Sequence, residues 1–212
     1  MLLTAVEVRI LGSLIEKESV TPDAYPLSLN ALVAACNQLS NRDPVMELDE
    51  NAVKYAVNSL RQQSLVRAIQ PSDSRVMKFQ HLAVEKWNLE TGTRAVLCVL
   101  MLRGPQTVGE IKGRTGRLAE FATLGDVEAA LTDLASKGLA VQLPRRPGQK
   151  EARFAHLLAG EPSEPSEPSK PGAADGARDL GVPALTGPSN ADLQRQIDEL
   201  RAEFDAFRKQ FG

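Results

Sequence analysis

A short hydrophobic pattern occurs twice in this chain and constrains its fold more than any other feature. Six residues between positions 53 and 65 correspond in type and spacing to six between positions 127 and 139. They are Val53, Ala56, Val57, Leu60, Ser64 and Leu65 in the first copy, and Val127, Ala130, Leu131, Leu134, Gly138 and Leu139 in the second. Both spacings are those of an amphipathic helix. The chain is therefore expected to contain one small module twice.

Two strand-like segments follow the helix in each copy. They close on Phe79-Gln80-His81-Leu82 in the first copy and on Phe154-Ala155-His156-Leu157 in the second. A helix followed by a β-hairpin is typical of the second half of a winged helix, a variant of the helix-turn-helix. We therefore predict a mainly α fold with small β-hairpins (α+β), made of two tandem winged-helix domains at residues 1–88 and 89–160.

Polar residues mark the expected helix starts. Five of them can accept a hydrogen bond from a free amide of the first turn: Thr4, Ser28, Asp49, Thr107 and Thr123. Thr4 and Thr107 are each followed three residues later by a glutamate, which is the capping-box pattern. After Pro44 breaks the chain, Val45-Met46 is expected to form the small first strand of the first winged helix.

The last quarter of the chain differs in composition from the rest. A three-residue Glu-Pro-Ser repeat begins at Glu161, so residues 161–188 are predicted to be a disordered linker. Residues 189–212 are predicted to form an amphipathic oligomerisation helix, because apolar residues recur every three or four positions. These residues are Leu193, Ile197, Leu200, Phe204, Phe207 and Phe211. A lone helix of this length needs a partner, which is a second copy, the chain's own globular part or another protein.

The net charge of −2 is unevenly distributed. Residues 1–90 carry 9 Lys and Arg against 11 Asp and Glu, whereas residues 91–160 carry 10 against 6. The tail, residues 161–212, carries 6 against 10. Only the second module is therefore basic enough to attract a polyanion by itself.

The two cysteines and the apolar segments bear on location. Cys36 and Cys98 each lie inside an apolar helical stretch, which indicates buried free thiols in a reducing cytoplasm. The chain has no apolar run of the length that spans a bilayer, and its start lacks the pattern of a signal peptide. We predict a cytoplasmic protein without a membrane partner.

Sequence motifs of catalysis and of cofactor binding are missing. The sequence contains no Cys-x-x-Cys, no phosphate-binding glycine loop and no His-Glu-x-x-His. His81 and His156 occupy matching positions on the two hairpins, so we expect partly exposed strand residues inherited by duplication and no metal site. The prediction is a protein that is not an enzyme and has no cofactor.

DNA binding is the functional hypothesis that the sequence supports with specific residues. With Val53 and Val57 facing inward, the outer face of the third helix carries Tyr55 and Asn58, flanked by Lys54 and Arg61. Such side chains can contact bases and phosphates when a third helix enters the major groove. Against this hypothesis, Glu47, Asp49 and Glu50 crowd the start of the helix and would repel phosphate. A merely solvated face stays an alternative.

The corresponding helix of the second module has small outward residues, so its surface suits either phosphate contact without base readout or packing against protein. Its basic residues lie around the second helix and on the hairpin. The DNA-binding candidates of the whole chain are Arg42, Lys54, Asn58, Arg61, Arg75, Lys78, Arg114, Arg117, Arg145, Arg146 and Lys150. For Arg42, an intramolecular pair with Asp43 or Glu47 is an alternative to a phosphate contact.

Several longer segments carry a family resemblance. They are Tyr25-Pro26-Leu27-Ser28, Ala35-Cys36-Asn37-Gln38, Asn41-Arg42-Asp43-Pro44-Val45-Met46 and Arg103-Gly104-Pro105-Gln106-Thr107 followed by Gly109-Glu110. Together they closely resemble the YceH-like family of bacterial proteins, from Leu3 to about Gly160. The resemblance implies a tandem winged-helix fold of uncharacterised function, a heptad-bearing C-terminal helix, and no assigned catalytic residue or cofactor. The Pro-Ser-Glu linker is longer than is typical of that family.

We therefore predict a tandem winged-helix protein that binds DNA as a transcriptional regulator and that self-associates through its C-terminal helix. The alternative is a protein-interaction scaffold without catalytic activity that uses the same domains.

Overall fold

The computed structural model describes residues 2–71, 76–145 and 150–161. In the first half of these residues the helices are α1 (Ala5–Val20), α2 (Leu29–Cys36), α3 (Glu50–Gln62) and α4 (Ala83–Trp87). The strands of that half are β1 (Leu27–Ser28), β2 (Val66–Ile69) and β3 (Lys78–His81), with a short 3-10 turn at Pro22–Ala24 before β1.

The second half repeats this order. Its helices are α5 (Thr91–Arg103), α6 (Val108–Thr115) and α7 (Leu124–Ser136), and its strands are β4 (Ala140–Gln142) and β5 (Phe154–His156). The predicted α+β class is confirmed. The short helix α4, which connects the halves, is an addition to the predicted elements. We call residues 2–82 the first repeat and residues 91–158 the second repeat.

The predicted helix starts are those of the structure. The Thr4 hydroxyl accepts a hydrogen bond from the Glu7 amide at 3.2 Å, and the Glu7 carboxylate accepts one from the Thr4 amide at 2.6 Å. Thr107 with Glu110 and Thr123 with Asp126 form the same capping box. Ser28 and Asp49 cap α2 and α3 through their side chains alone. Each cap satisfies an amide that the helix itself leaves free.

The sheet of the first repeat corrects one expectation. Its strand order is β1-β3-β2, and Leu27 of β1 pairs with Phe79 of β3. The prediction that Val45-Met46 forms the first strand is wrong. That segment is held as a loop, because the Asn37 side chain donates to the Leu48 carbonyl and accepts from the Leu48 amide, both at 2.8 Å. A side chain thus takes the hydrogen bonds that a neighbouring strand would make.

The two repeats share backbone geometry at the helix–hairpin junction. The Leu65 amide donates to the Leu60 carbonyl, and the Leu139 amide donates to the Leu134 carbonyl, each at 2.9 Å. The residue before each leucine has a positive φ, 55° at Ser64 and 68° at Gly138. In the second repeat an isolated bridge between Gln106 and Phe154 stands where β1 pairs with β3 in the first.

Helices α1 and α5 join the repeats in one hydrophobic core. At Gly12 the helices approach so closely that an added Cβ would lie 2.9 Å from Leu102 Cδ2. The Cys98 thiol donates to the Gly12 carbonyl at 3.4 Å. Both cysteines are buried free thiols, as predicted, and burial raises the pKa of Cys36 to about 11.

Within the described ranges no helix is long and apolar enough to cross a bilayer. The linker at 161–188 (apart from Glu161) and the helix at 189–212, with its six apolar positions from Leu193 to Phe211, lie outside the described residues. The domain boundary predicted between residues 88 and 89 stays a prediction.

Candidate nucleic-acid interface

The outer face of α3 is exposed, in the orientation that its sequence predicts. Val53, Val57 and Leu60 are buried against the core, because they share one side of the helix. The opposite side presents Lys54, Tyr55, Asn58 and Arg61 to solvent, and Tyr55 is 79% exposed. The exposed face therefore combines two cations, an amide and an aromatic ring.

Three of these side chains line one cleft. Lys54, Asn58 and Arg61 form one wall of a cleft of about 510 Å³, and the start of α2 with the residues before β3 forms the other. The Arg61 guanidinium donates to the Asn58 side-chain carbonyl at 3.3 Å. This contact orients the Asn58 amide and leaves most N–H donors of Arg61 available. We call this feature the α3 cleft.

The hairpin supplies apolar rather than basic groups to the α3 cleft. Val76, Met77 and Phe79 line it, and Val76 and Met77 are 54% and 46% exposed. Lys78 pairs in register with Ser28 and Ile69, and it is not among the lining residues. Because side chains alternate across a strand, Lys78 and Phe79 point to opposite faces of the sheet. Arg75 lies outside the described residues.

Carboxylates surround the start of α3, as the sequence indicates. Asp49 accepts a hydrogen bond from the Ala52 amide at 2.7 Å, and Glu47 and Glu50 are exposed beside it. A negative charge here stabilises the helix through its dipole but repels phosphate. An approaching polyanion would therefore meet the later turns of α3, from Lys54 to Arg61.

The equivalent face of α7 is different in chemistry. It exposes Glu128, Ala129 and Thr132, and the Thr132 hydroxyl donates to the Glu128 carbonyl at 2.9 Å within the helix. Near the helix end, Lys137 and Asp133 form an ion pair at 2.5 Å. The polar groups of this face are largely satisfied by one another, so the face offers little for base recognition.

Apart from Lys137 at the end of α7, the basic residues of the second repeat lie outside that helix. Arg114 and Arg117, at the end of α6 and just beyond it, line the same small pocket. Arg145 and Lys150 are exposed on either side of residues 146–149, which include Arg146 and lie outside the description. These positions give two separate groups of cations rather than one continuous surface.

Arg42 does not belong to the interface. Its side chain is fully buried, and its guanidinium contacts the Glu16 carboxylate at 2.6 Å and the Ala35 carbonyl at 2.9 Å. The predicted phosphate contact is therefore wrong, and so are the predicted alternative partners Asp43 and Glu47. The actual partner lies in α1, which is remote in sequence and becomes adjacent only when α1 packs beside the loop after α2.

The two matching histidines are structural. His81 is buried rather than partly exposed, and its Nε2 lies 3.0 Å from Glu18 Oε2. Arg94 contacts the same oxygen at 2.9 Å, and the Tyr25 hydroxyl accepts from the His81 amide. Burial lowers the pKa of His81, against the opposing effect of Glu18, and it lowers the pKa of His156 as well. Over the described residues, no group of three His, Cys, Asp or Glu side chains could hold a metal ion.

Sequence reasoning missed Arg103 as a surface cation. It ends α5, and its Nη1 donates to the Asn41 side-chain carbonyl at 3.1 Å, beside Arg114 and Arg117. The local sequence indicates only that an apolar helix ends there. Its position beside the other arginines depends on the packing of α5 against α6, which no local pattern specifies.

Comparison with known proteins identifies the family. The family described as "Protein of unknown function, DUF480" matches residues 3–149, and the chain belongs to it. This confirms the resemblance to an uncharacterised bacterial family that the sequence motifs indicate. The matched residues contain nearly all of the first repeat and the second repeat up to the segment before β5.

Individual relatives are similar over most of their length. A UPF0502 protein of Solibacter usitatus is 47% identical over 209 residues, which cover 99% of this chain and 98% of the relative. A UPF0502 protein of Chromobacterium violaceum is 51% identical over 162 residues, or 76% of this chain and 74% of that protein. One of Citrifermentans bemidjiense is 52% identical over 164 residues, with 76% and 75% covered.

Proposed function

We propose that this protein binds double-stranded DNA through two winged-helix domains, with α3 entering the major groove. The order of three helices and an antiparallel hairpin in each repeat supports the winged-helix assignment, as does the β1-β3-β2 sheet of the first. In this fold the third helix contacts bases and the hairpin contacts the backbone. The observation that carries the proposal is the exposed wall of Lys54, Asn58 and Arg61 on the α3 cleft.

The chemistry of that wall fits a duplex. An asparagine amide can pair with the N6 and N7 edge of adenine, and an arginine can pair with guanine or with phosphate. Lys54 and Arg61 are seven residues apart, which places them two helical turns apart on the same face. Asn58 lies between them, so base contact would be flanked by phosphate contacts.

The second repeat would contact the DNA backbone rather than the bases. Arg145 and Lys150 are exposed on its hairpin, and the repeat carries the excess of positive charge in the chain. The small residues of α7 offer no amide or guanidinium to a base. In this proposal the first repeat recognises the base sequence and the second repeat binds backbone phosphates. The protein is a binding protein rather than an enzyme in this proposal, and it acts in the cytoplasm as a regulator.

Fluorescence anisotropy with duplexes selected from random fragments by the purified protein tests the proposal. The logarithm of the affinity should fall with the logarithm of salt concentration at a slope of about −3 to −6. Changing Arg145, Arg146 and Lys150 together to Ala should flatten this slope, because up to three phosphate contacts are lost. Unchanged binding would remove the hairpin from the interface.

Asn58→Ala tests the base contact. It should reduce the preference for the selected sequence over a scrambled duplex by about fivefold or more, with little change in salt slope. Arg67→Ala is the matched control, since Arg67 is exposed on β2 and does not line the α3 cleft. If Asn58→Ala leaves the preference intact, α3 does not contact bases.

The apolar side of the α3 cleft favours a second candidate, a protein-interaction scaffold. Tyr55, Val76 and Met77 expose large hydrophobic groups beside the cations, and aromatic and Met side chains are enriched at protein interfaces. A pull-down would then return one stable partner that survives the Arg145, Arg146 and Lys150 substitutions. A Met77→Glu variant should lose that partner. The DNA affinity of the same variant is measured in parallel to separate the two candidate functions.

Self-association through residues 189–212 completes the proposal. The apolar repeat from Leu193 to Phe211 supports a short coiled coil between copies. Deletion of residues 189–212 should lower the molar mass measured by light scattering, and an unchanged mass would reject this step.

A further inference from the structure

A second polar site lies between the two repeats, away from the α3 cleft. A pocket of about 20 Å³ is bordered by α1, by the ends of α5 and α6, and by the loop after α2. Three arginines, Arg103, Arg114 and Arg117, are among its lining residues, together with Glu16, Asn41 and four apolar residues. Because Arg103 ends α5, and Arg114 and Arg117 lie at the C-terminal end of α6 and just beyond it, the folded second repeat is required to bring them together.

Two of the three arginines are held in place by amide side chains. Arg103 donates to the Asn41 side-chain carbonyl at 3.1 Å, and Asn41 itself lines the pocket with a positive φ of 59°. Arg114 donates to Gln106 Oε1 at 2.5 Å, and Gln106 is fully buried. A guanidinium has five N–H donors, and these contacts use only part of them. Arg103 and Arg114 are therefore oriented before any ligand binds.

The charges around the pocket do not cancel. The lining carboxylate, Glu16, is already paired with the buried Arg42, and Glu110 is shared between Arg114 at 3.7 Å and Arg153 at 3.1 Å. Arg117 is exposed and meets no hydrogen-bond acceptor among the described residues. Burial lowers the pKa of Arg103, and the Arg114 charge lowers it further, while the Asp43 and Glu110 carboxylates oppose the shift.

We propose that this pocket binds a single phosphoryl group, as free phosphate or as the phosphate end of a small monoester. Planar guanidinium groups pair with phosphate oxygens through two parallel N–H donors, and three of them complement a dianion. The volume leaves room for one or two atoms of water size, so phosphate oxygens enter and a larger ligand stays outside. A ligand here contacts both repeats and stabilises their junction.

Thermal unfolding of the full chain tests the site, with inorganic phosphate as the probe. At constant ionic strength set with chloride, phosphate at ten times its Kd should raise Tm by about 3–5 °C. Arg117→Gln should weaken phosphate binding at least tenfold in calorimetric titration, and it is exposed enough to leave the fold intact. Arg103→Gln should have a similar effect. Arg67→Gln, far from the pocket in the sheet, should keep the wild-type affinity.

Two results would overturn the proposal. One is a rise in Tm that chloride produces as well as phosphate does, or that phosphate still produces in the Arg117→Gln variant. The other is no phosphate binding at millimolar concentrations. Competition with a DNA duplex tests whether the pocket takes a backbone phosphate or the phosphate of a small ligand. Displacement of phosphate by DNA places a backbone phosphate in the pocket, whereas simultaneous binding indicates a small phosphorylated ligand. The site does not depend on the DNA proposal, because the phosphate titration contains no nucleic acid.

Discussion

The third helices of the two repeats have the same buried side and different outer faces. Val53 and Leu60 of α3 correspond to Val127 and Leu134 of α7, and all four are buried. On the outer faces, Lys54 corresponds to Glu128, and cationic or amide groups of α3 correspond to small or acidic ones of α7. The comparison separates what the fold requires from what each repeat presents to a partner.

The difference indicates that the repeats do not bind equivalent surfaces. A buried stripe must be kept because each side chain fills space in a close-packed core. An exposed position is free to change, so cations and an amide together on α3 reflect a task that α7 does not share. Two equal DNA-reading helices would require similar outer faces, and the outer faces of α3 and α7 differ.

The loops before these helices differ as well. The first repeat has a loop from Asn37 to Asp49, held by the buried pair of Arg42 with Glu16, whereas the second repeat connects α6 to α7 more directly. On α7, by contrast, Lys137 and Asp133 form an exposed ion pair. Because one pair is buried and the other exposed, the loss of a partner is expected to change the free energy of unfolding by very different amounts.

The largest expected effect is that of Arg42→Ala. This change leaves the Glu16 carboxylate buried without its partner and should lower the free energy of unfolding by about 3–5 kcal/mol. Urea unfolding followed by circular dichroism measures the loss, and hydrogen exchange should locate it in the loop from Asn37 to Asp49. Lys137→Ala, the matched change in the second repeat, should cost about 0.5 kcal/mol or less. Equal losses in the two variants would contradict this contrast.

The second effect concerns the outer faces directly. Lys54→Ala with Arg61→Ala should weaken duplex binding about 10- to 100-fold and reduce the salt slope by about 2, because two phosphate contacts disappear. Glu128→Ala, at the position equivalent to Lys54, should change the affinity by less than about twofold. Anisotropy titrations at several salt concentrations measure both. If Glu128→Ala alters binding as much as the α3 variant does, the two faces are equivalent after all.

Much of the fold follows from local sequence signals. The caps at Thr4, Asp49 and Thr107 and the inward stripe of α3 were predictable, because each depends on residues within one or two turns. The strand expected at Val45-Met46 failed for the opposite reason. Asn37 fixes the loop by bonding to the backbone of Leu48, just after this segment, and the position of Asn37 depends on how α2 ends and where the following loop folds back.

The candidate site shows the same division. The exposure of Lys54, Asn58 and Arg61 could be predicted from helical rotation alone. The burial of Arg42 and the pocket position of Arg103 could not, because each depends on a contact remote in sequence, that of Arg42 with Glu16 of α1 and that of Arg103 with Asn41 after α2. Long side chains near helix ends are ambiguous in sequence, since the same residue serves as a surface cation or as a buried donor.

A third, smaller effect separates the two roles of Asp49. Asp49→Asn keeps an oxygen that can cap α3 and removes the negative charge, so unfolding free energy should change by only a few tenths of a kcal/mol. DNA affinity should rise about fivefold, equivalent to about 1 kcal/mol of relieved repulsion. Asp49→Ala removes the cap as well and should cost about 1 kcal/mol of stability. An unchanged affinity in Asp49→Asn would place the phosphate backbone away from the start of α3.

The smallest effect compares the two histidines as pH falls. Burial lowers the pKa of both below that of an unfolded histidine, about 6.5, so the unfolded chain takes up protons that the folded chain excludes. This contribution to stability is complete above about pH 6.5 and is lost as the pH falls from there toward the folded pKa. His156→Gln should therefore flatten the decline in urea midpoint between pH 7.5 and 5.5. His81→Gln should flatten it less, because Glu18 at 3.0 Å partly compensates a proton on His81. A larger effect at His81 would mean that Glu18 offsets little of the effect of burial, and the two repeats would then respond to acid in the reverse order.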